Sequence, residues 1–416
     1  MTPAVAHEHV PPSSPPADAT RRSRLEAVDL LRGIVIVLML LDHTRDFVHR
    51  DAALFSPTDP TRTSIELFFT RWVTHFCAPI FSLLAGVGAA LQLQRGKSKA
   101  ELSRFLVTRG LWLIVLEFTV IRLGMAFDLN YRAFPGMLEV IWVLGASMIV
   151  LAGMIHLPTR IVAALGIGMI ALHNLADGIR VQGLAGPGSS PPGVLDSLWM
   201  VLHQPGFIQI FGAPMLVAYP LVPWVGVMML GYALGTVYAW EPERRRRFLT
   251  RAGLVAIAAF VVIRAANGYG DPVPWSAQRD AIFTALSFLN TTKYPPSLLF
   301  LVMTLGPALL ALAWFERKPL GRIGRVFVTY GRVPLFFFVI QWYVAHPLAI
   351  GLSLLTGRSI AHLFGMPGAT PPAPGAGFSL GVTYLVWLAG LAITYPLCRW
   401  LAQLKQRRND WWLSYL

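Results

Sequence analysis

The chain has 416 residues, of which 55% are hydrophobic and 13% charged, roughly half the charged share of a soluble domain. A water-soluble core cannot hide that much apolar surface, so a soluble globular protein is excluded and a chain that lives in the lipid bilayer is implied. The formal net charge of +14 does not point to nucleic acid, because Lys and Arg stand between the apolar runs rather than on one amphipathic face.

Residues 1–22 are rich in Pro, Ser and Ala without apolar periodicity and read as a disordered cytoplasmic tail; 23–416 then form a single transmembrane domain. A bilayer-spanning helix takes about 20 apolar residues to cross about 30 Å. Ten runs of that order follow in the sequence, near 28–48, 65–93, 106–126, 136–156, 161–176, 214–239, 252–267, 297–315, 326–349 and 379–401. They are continuously apolar, where barrel strands alternate, so the fold class expected is all-α: a polytopic bundle of about ten transmembrane helices. The first run mimics a signal peptide, with arginines ahead of Ile34–Leu41, but no small-x-small cleavage site follows and it reads as a retained anchor.

Every second connector is basic: Arg21, Arg22 and Arg24; Arg95, Lys97, Lys99 and Arg104; Arg244–Arg247 with Arg251; Arg317, Lys318, Arg322 and Arg325; Lys405, Arg407 and Arg408. The positive-inside rule then puts both termini in the cytoplasm. Cys77 and Cys398 both fall within spans, which excludes a disulfide framework. Small residues at Ala85–Ala90 and Gly226–Gly235 predict close helix packing. The long outer loops carry turn-rich stretches at Gly186–Gly193 and Pro367–Gly377.

Charged side chains inside a span cost about 2.5–3.5 kcal/mol each on insertion scales and usually face a bundle interior or a watery cavity. The first span is crowded with them. Arg32 and His43 are eleven residues apart, which puts them on one helix face about 16 Å apart along the axis, with Asp29 and Asp46 within a turn of them. Asp29 with Arg32 reads equally as an ion pair at a span end. His43 reads better as a functional group, because imidazole is the usual general base near neutral pH. In the second span Arg71 and His75 share a face four residues apart, ahead of Cys77 and of Pro79, which is expected to kink the helix.

Later spans add Tyr219-Pro-Leu-Val-Pro-Trp224, Lys293-Tyr-Pro-Pro-Ser297 and Gly331-Arg-Val-Pro334, where Tyr and Trp read as interfacial belt residues. His346 and the pair Glu117 and Arg122 read as structural partners. No P-loop, no His-Glu-x-x-His or other metal-ligand spacing and no Gly-x-Ser-x-Gly elbow occurs, so no metal is expected.

Arg24-Leu-Glu-Ala-Val-Asp29-Leu-Leu-Arg32-Gly33-Ile, with His43 eleven residues after Arg32, resembles the opening of bacterial proteins related to the heparan-α-glucosaminide N-acetyltransferase catalytic domain. It is also similar to the first helix of acyltransferase-3 type membrane O-acetyltransferases, where an Arg and a His at this spacing are functional. Thr74-His75-Phe-Cys77-Ala-Pro79-Ile-Phe81, Leu84-Ala-Gly86, Tyr219-Pro to Pro223-Trp224, Lys293–Ser297 and Gly331–Phe336 extend the resemblance over nearly the whole chain after residue 24.

The resemblance implies a multi-pass enzyme of the bacterial inner membrane that moves an acetyl group from cytoplasmic acetyl-CoA, its co-substrate, to a sugar or other glycan acceptor on the outer side, with homo-oligomerisation left open. It also implies Arg32, with Asp29, Arg71 and His75, on the CoA and substrate side, and His43 with Asp46 as general base or acyl carrier. The eukaryotic heparan enzyme places its catalytic His after the first such helix, which makes His49 the rival. A proton-coupled transporter or flippase is the alternative from another class.

Overall fold

The computed structural model describes residues 17–415 apart from 53, 187, 188, 318, 319 and 409. Its helices are, in chain order, α1 (Ala17–Val48), α2 (Ile65–Trp72), α3 (Cys77–Gln94), α4 (Lys99–Leu116), α5 (Arg122–Ala126), α6 (Val140–Met154), α7 (Thr159–Leu172), α8 (Val194–Leu202), α9 (Leu221–Gly235), α10 (Pro242–Ala266), α11 (Ala281–Leu289), α12 (Leu298–Phe315), α13 (Arg322–Gly331), α14 (Pro334–Leu355) and α15 (Leu380–Arg407), with α8 and α11 lying between the apolar runs. Each of the ten runs contains a helix. Among the described residues, seven helices are long and apolar enough to cross a membrane. The helices at the first, third and fourth runs fall outside that set, because α1 and α4 carry charges along their length and α6 has only 15 residues.

Three expectations need correction. The fold is not purely helical: β1 (Met137–Leu138) pairs in parallel with β3 (Ala213–Val217), which forms an antiparallel hairpin with β2 (Gly206–Ile210). The hairpin turns on two residues, Phe211 and Gly212, both at positive φ (49° and 82°), as a two-residue turn between right-twisted strands requires. The ninth run is two helices, because Pro334 lacks the N–H that would carry α13 onward and opens α14 instead. Pro79 interrupts the second run as expected, at a 3-10 turn over Val73–Phe76, where the proline ring would crowd the carbonyl four residues earlier. Of the expected tail, 1–16 lies outside the described residues, and from Ala17 the chain is already helical.

Helix α1 is the hub, packed on α13, α14, α15, α3 and α12; α3 lies along α9, α4 along α6 and α10 along α12. Two of these contacts, α1 on α13 and α3 on α9, bring backbone against backbone at glycines. A Cβ on Gly331 would sit 1.8 Å from the Asp29 carbonyl oxygen and one on Gly33 1.8 Å from that of Phe327, while one on Gly86 would sit 2.1 Å from that of Met228. Close approach of this kind is how helices associate in lipid, where apolar burial gives no drive between them. Gly88 is different: a Cβ there meets no atom within 4 Å, because that face of α3 borders a cavity.

Candidate active site: two cavities along one helix

Asp42, near the C-terminal end of α1, is 8% exposed and gathers two guanidinium groups, Arg45 at 2.9 Å and Arg71 of α2. A buried carboxylate persists only when paired in this way. Arg71 reaches on to the Tyr294 hydroxyl at 3.4 Å, and the Lys293 ammonium lies 5.2 Å from the Tyr294 ring. These groups line a cavity of about 320 Å³ whose charged lining residues are three acids, Asp42, Asp46 and Glu139, and three bases, Arg45, Arg71 and Lys293. His43 faces the same cavity, its ring 4.0 Å from Trp342 and edge-on to Phe338.

A second cavity, about 600 Å³, opens at the other end of α1. Its charged lining is entirely cationic: Arg32, Arg95, Lys97, Arg109, Arg332 and Lys405, with no carboxylate among the described lining residues. Arg32 is held by Asp29 at 3.1 Å and by donation to the Gly331 carbonyl at 3.2 Å; Lys97 is steered by Gln92 at 2.7 Å and by the Phe105 ring. Six cations with so little compensation make a site for a polyanion, since guanidinium and ammonium groups bind phosphate through short charge-assisted hydrogen bonds.

The two cavities share Phe81 and Val140 as lining residues. Phe338, which lines the basic cavity, has its ring 6.5 Å from that of His43. An apolar wall one side chain thick therefore separates the cationic chamber from the imidazole.

The expected site residues divide accordingly. His43, Asp46 and Arg71 reach the charge-balanced cavity and Arg32 the cationic one. Asp46 pairs with Arg45 at 2.5 Å rather than with His43. Asp29 stands behind the lining, between Arg32 and Arg332. His75 is turned away from the cavity and packs on Phe300 at 5.4 Å. His49 is part of a backbone bridge to Phe378, its Nδ1 accepts from the Asp51 amide at 3.3 Å, and it lines neither cavity. Burial holds the His49 ring below the usual imidazole range.

Sequence reasoning missed Asp42, Arg45 and Glu139, and assigned Tyr219 and Tyr294 to the belt when both line the cavity beside Lys293. The Lys-Tyr-Pro-Pro motif was the available signal. One structural expectation also changes. Glu117 accepts from the Trp142 amide at 2.8 Å, whereas Arg122 pairs with Asp128 at 2.8 Å, so these two are not partners. His346 is stacked between Phe47 and Phe127 and is structural, as expected.

A many-helix membrane protein with a cationic chamber and a charge-balanced one on either side of a histidine is the class that fold and site define. The chain belongs to the family described as Heparan-alpha-glucosaminide N-acetyltransferase, catalytic, whose model matches residues 24–266, more than half of its length. No curated protein matches the chain. The match takes in Arg32, His43 and Arg71; Lys293–Ser297 and Gly331–Phe336 lie beyond it.

Proposed function

We propose that this chain is a membrane-embedded acyltransferase that takes acetyl from cytoplasmic acetyl-CoA and delivers it to a sugar hydroxyl or amine on the outer side of the membrane, with about ten spans and both termini cytoplasmic. The observation that carries this reading is the segregation of charge: six cations around one chamber, a balanced polar set around the other, and His43 at the thin wall between them. The cationic mouth faces the cytoplasm, as the positive-inside rule asks of its flanking connectors. There Arg32, Arg332 and Lys405 pair with the phosphates of the donor while its thioester arm runs toward Phe81 and Val140.

At the wall the acceptor oxygen or nitrogen attacks the thioester carbonyl, its proton passes to the His43 imidazole, and the C–S bond breaks to release the CoA thiolate. Lys293 and Tyr294 hold and orient the acceptor in the outer chamber. The transfer is tested with radiolabelled acetyl-CoA and the purified protein in liposomes. Saturable binding and label transfer to an added amino sugar or glycan are expected; a protein that binds no acetyl-CoA and instead moves protons in response to a substrate is a transporter.

Donor binding has its own test. Arg32→Ala removes a charge-assisted contact worth about 1.5–3 kcal/mol, so acetyl-CoA affinity is expected to fall roughly 10- to 100-fold. Gly88→Leu points new side-chain volume into the chamber, where nothing lies within 4 Å of the added Cβ, and is expected to block the donor without lowering thermal stability. Unchanged affinity in both variants places the donor elsewhere.

A further inference from the structure

Away from both cavities, three potential ligands converge where α7 and α8 end. His173 belongs to the 3-10 turn that closes α7, Asp177 follows one turn later, and His203 ends α8. One donor atom from each lies within 4.8 Å of the others, and His203 Nε2 is 3.1 Å from Asp177 Oδ1. A tetrahedral Zn²⁺ with ligands at about 2.0–2.1 Å sets donors roughly 3.3 Å apart, so a small rotation of His173 closes the triangle.

The second observation is His173 itself. It is 7% exposed, and neither ring nitrogen has a hydrogen-bond partner beyond a loose approach to the Pro296 carbonyl. A buried ring with at least one nitrogen idle is costly, and a ligand would use it. The surroundings are those of a metal site. Asn174 donates to the second oxygen of Asp177 at 2.8 Å and fixes the carboxylate, as outer-shell groups do. Asp177 keeps 19% of its side chain exposed, which leaves a way in and room for a water ligand.

We propose that His173, Asp177 and His203 bind one divalent first-row ion, with Zn²⁺ the best fit to two imidazoles, one carboxylate and an open fourth position. The ion joins the end of α7 to the end of α8. Because Asn174 Oδ1 also accepts from the Leu298 amide at 2.8 Å, the joint extends to the start of α12, directly after the Lys293–Ser297 segment that serves the outer chamber. The site owes nothing to the acetyl-transfer reading and stands or falls separately.

The test uses the full chain, purified in detergent without a histidine tag, stripped with chelator and desalted. Calorimetric titration with ZnCl₂ is expected to show one ion bound per chain and a raised melting temperature, and CoCl₂ to give the intense visible bands of a tetrahedral site. Loss of an outer-shell partner costs about 10- to 100-fold in metal affinity; Asn174→Ala is expected in that range, and His173→Ala and His203→Ala to weaken Zn²⁺ by more. Mg²⁺, which takes oxygen ligands, is expected not to compete. Wild-type protein that binds no Zn²⁺, or variants that bind it as well as wild type does, overturns the site and leaves His203 and Asp177 as a hydrogen-bonded pair. Should the histidine variants fail to purify as a single species, the Co²⁺ spectrum of the wild type and of Asp177→Asn decides: no tetrahedral band in the first, or an unaltered one in the second, has the same meaning.

Discussion

His43→Ala is expected to abolish acetyl transfer while the protein still inserts, purifies and binds acetyl-CoA. Losing a general base typically costs 10² to 10⁴ in rate, about 3–5 kcal/mol of barrier. Binding is spared because the cations that would hold the donor are at the far end of α1, and the fold is spared because His43 meets its neighbours through ring contacts rather than ion pairs. The comparison variant is His49→Ala, which lines neither cavity and is expected to keep activity within a few-fold. Label transfer by purified protein in liposomes decides. A dead His49→Ala beside a mild His43→Ala moves the chemistry into the loop after α1.

Glu316→Ala is expected to be the more damaging change to stability, lowering the melting temperature on the order of 10 °C. Arg245 and Glu316 are both almost fully buried, with side chains 3% and 2% exposed, and make three hydrogen bonds of 2.9–3.1 Å between them. Removing one partner strands a desolvated charge, at a cost of about 3–5 kcal/mol. The double variant Arg245→Met with Glu316→Leu is expected to recover most of the loss, since a well-packed apolar pair often replaces a buried ion pair without penalty. Fluorescence-detected size-exclusion melting curves separate the cases; a single variant as stable as wild type would show that the pair contributes little.

The same pair shows where reading the sequence stops. Arg245 is one of four consecutive arginines that the sequence presents as topology markers; nothing local says that this one, and not its neighbours, turns inward to an acid 71 residues away. Helix positions were legible because each is written in about 20 contiguous residues. The sheet was not, because β1 is two residues long and the apolar Ala213–Val217 reads as the start of the span that follows.

The candidate site was half legible. Arg32 and His43 stand out because one helix carries both. Asp42 was passed over, because only the fold brings Arg71 and Lys293 to it, 29 and 251 residues further along the chain. The His173, Asp177 and His203 cluster was invisible for the same reason: its last member arrives 26 residues after Asp177, a gap outside the familiar metal-binding spacings.

The crossing of Gly33 with Gly331 bears on how a donor as large as the proposed acetyl-CoA would enter and leave. With the two backbones in contact and Arg32 tied to the Gly331 carbonyl at 3.2 Å, one rim of the cationic mouth is a fixed jamb. Any opening then falls to the rest of the lining, where Arg95 and Lys97 ride the short turn between α3 and α4 around Gly96, at φ 99°. Backbone amides at 95–98 are expected to exchange with solvent faster than those at 29–33 and 327–331, and acetyl-CoA to slow them, because the door of this chamber is hung on one side only.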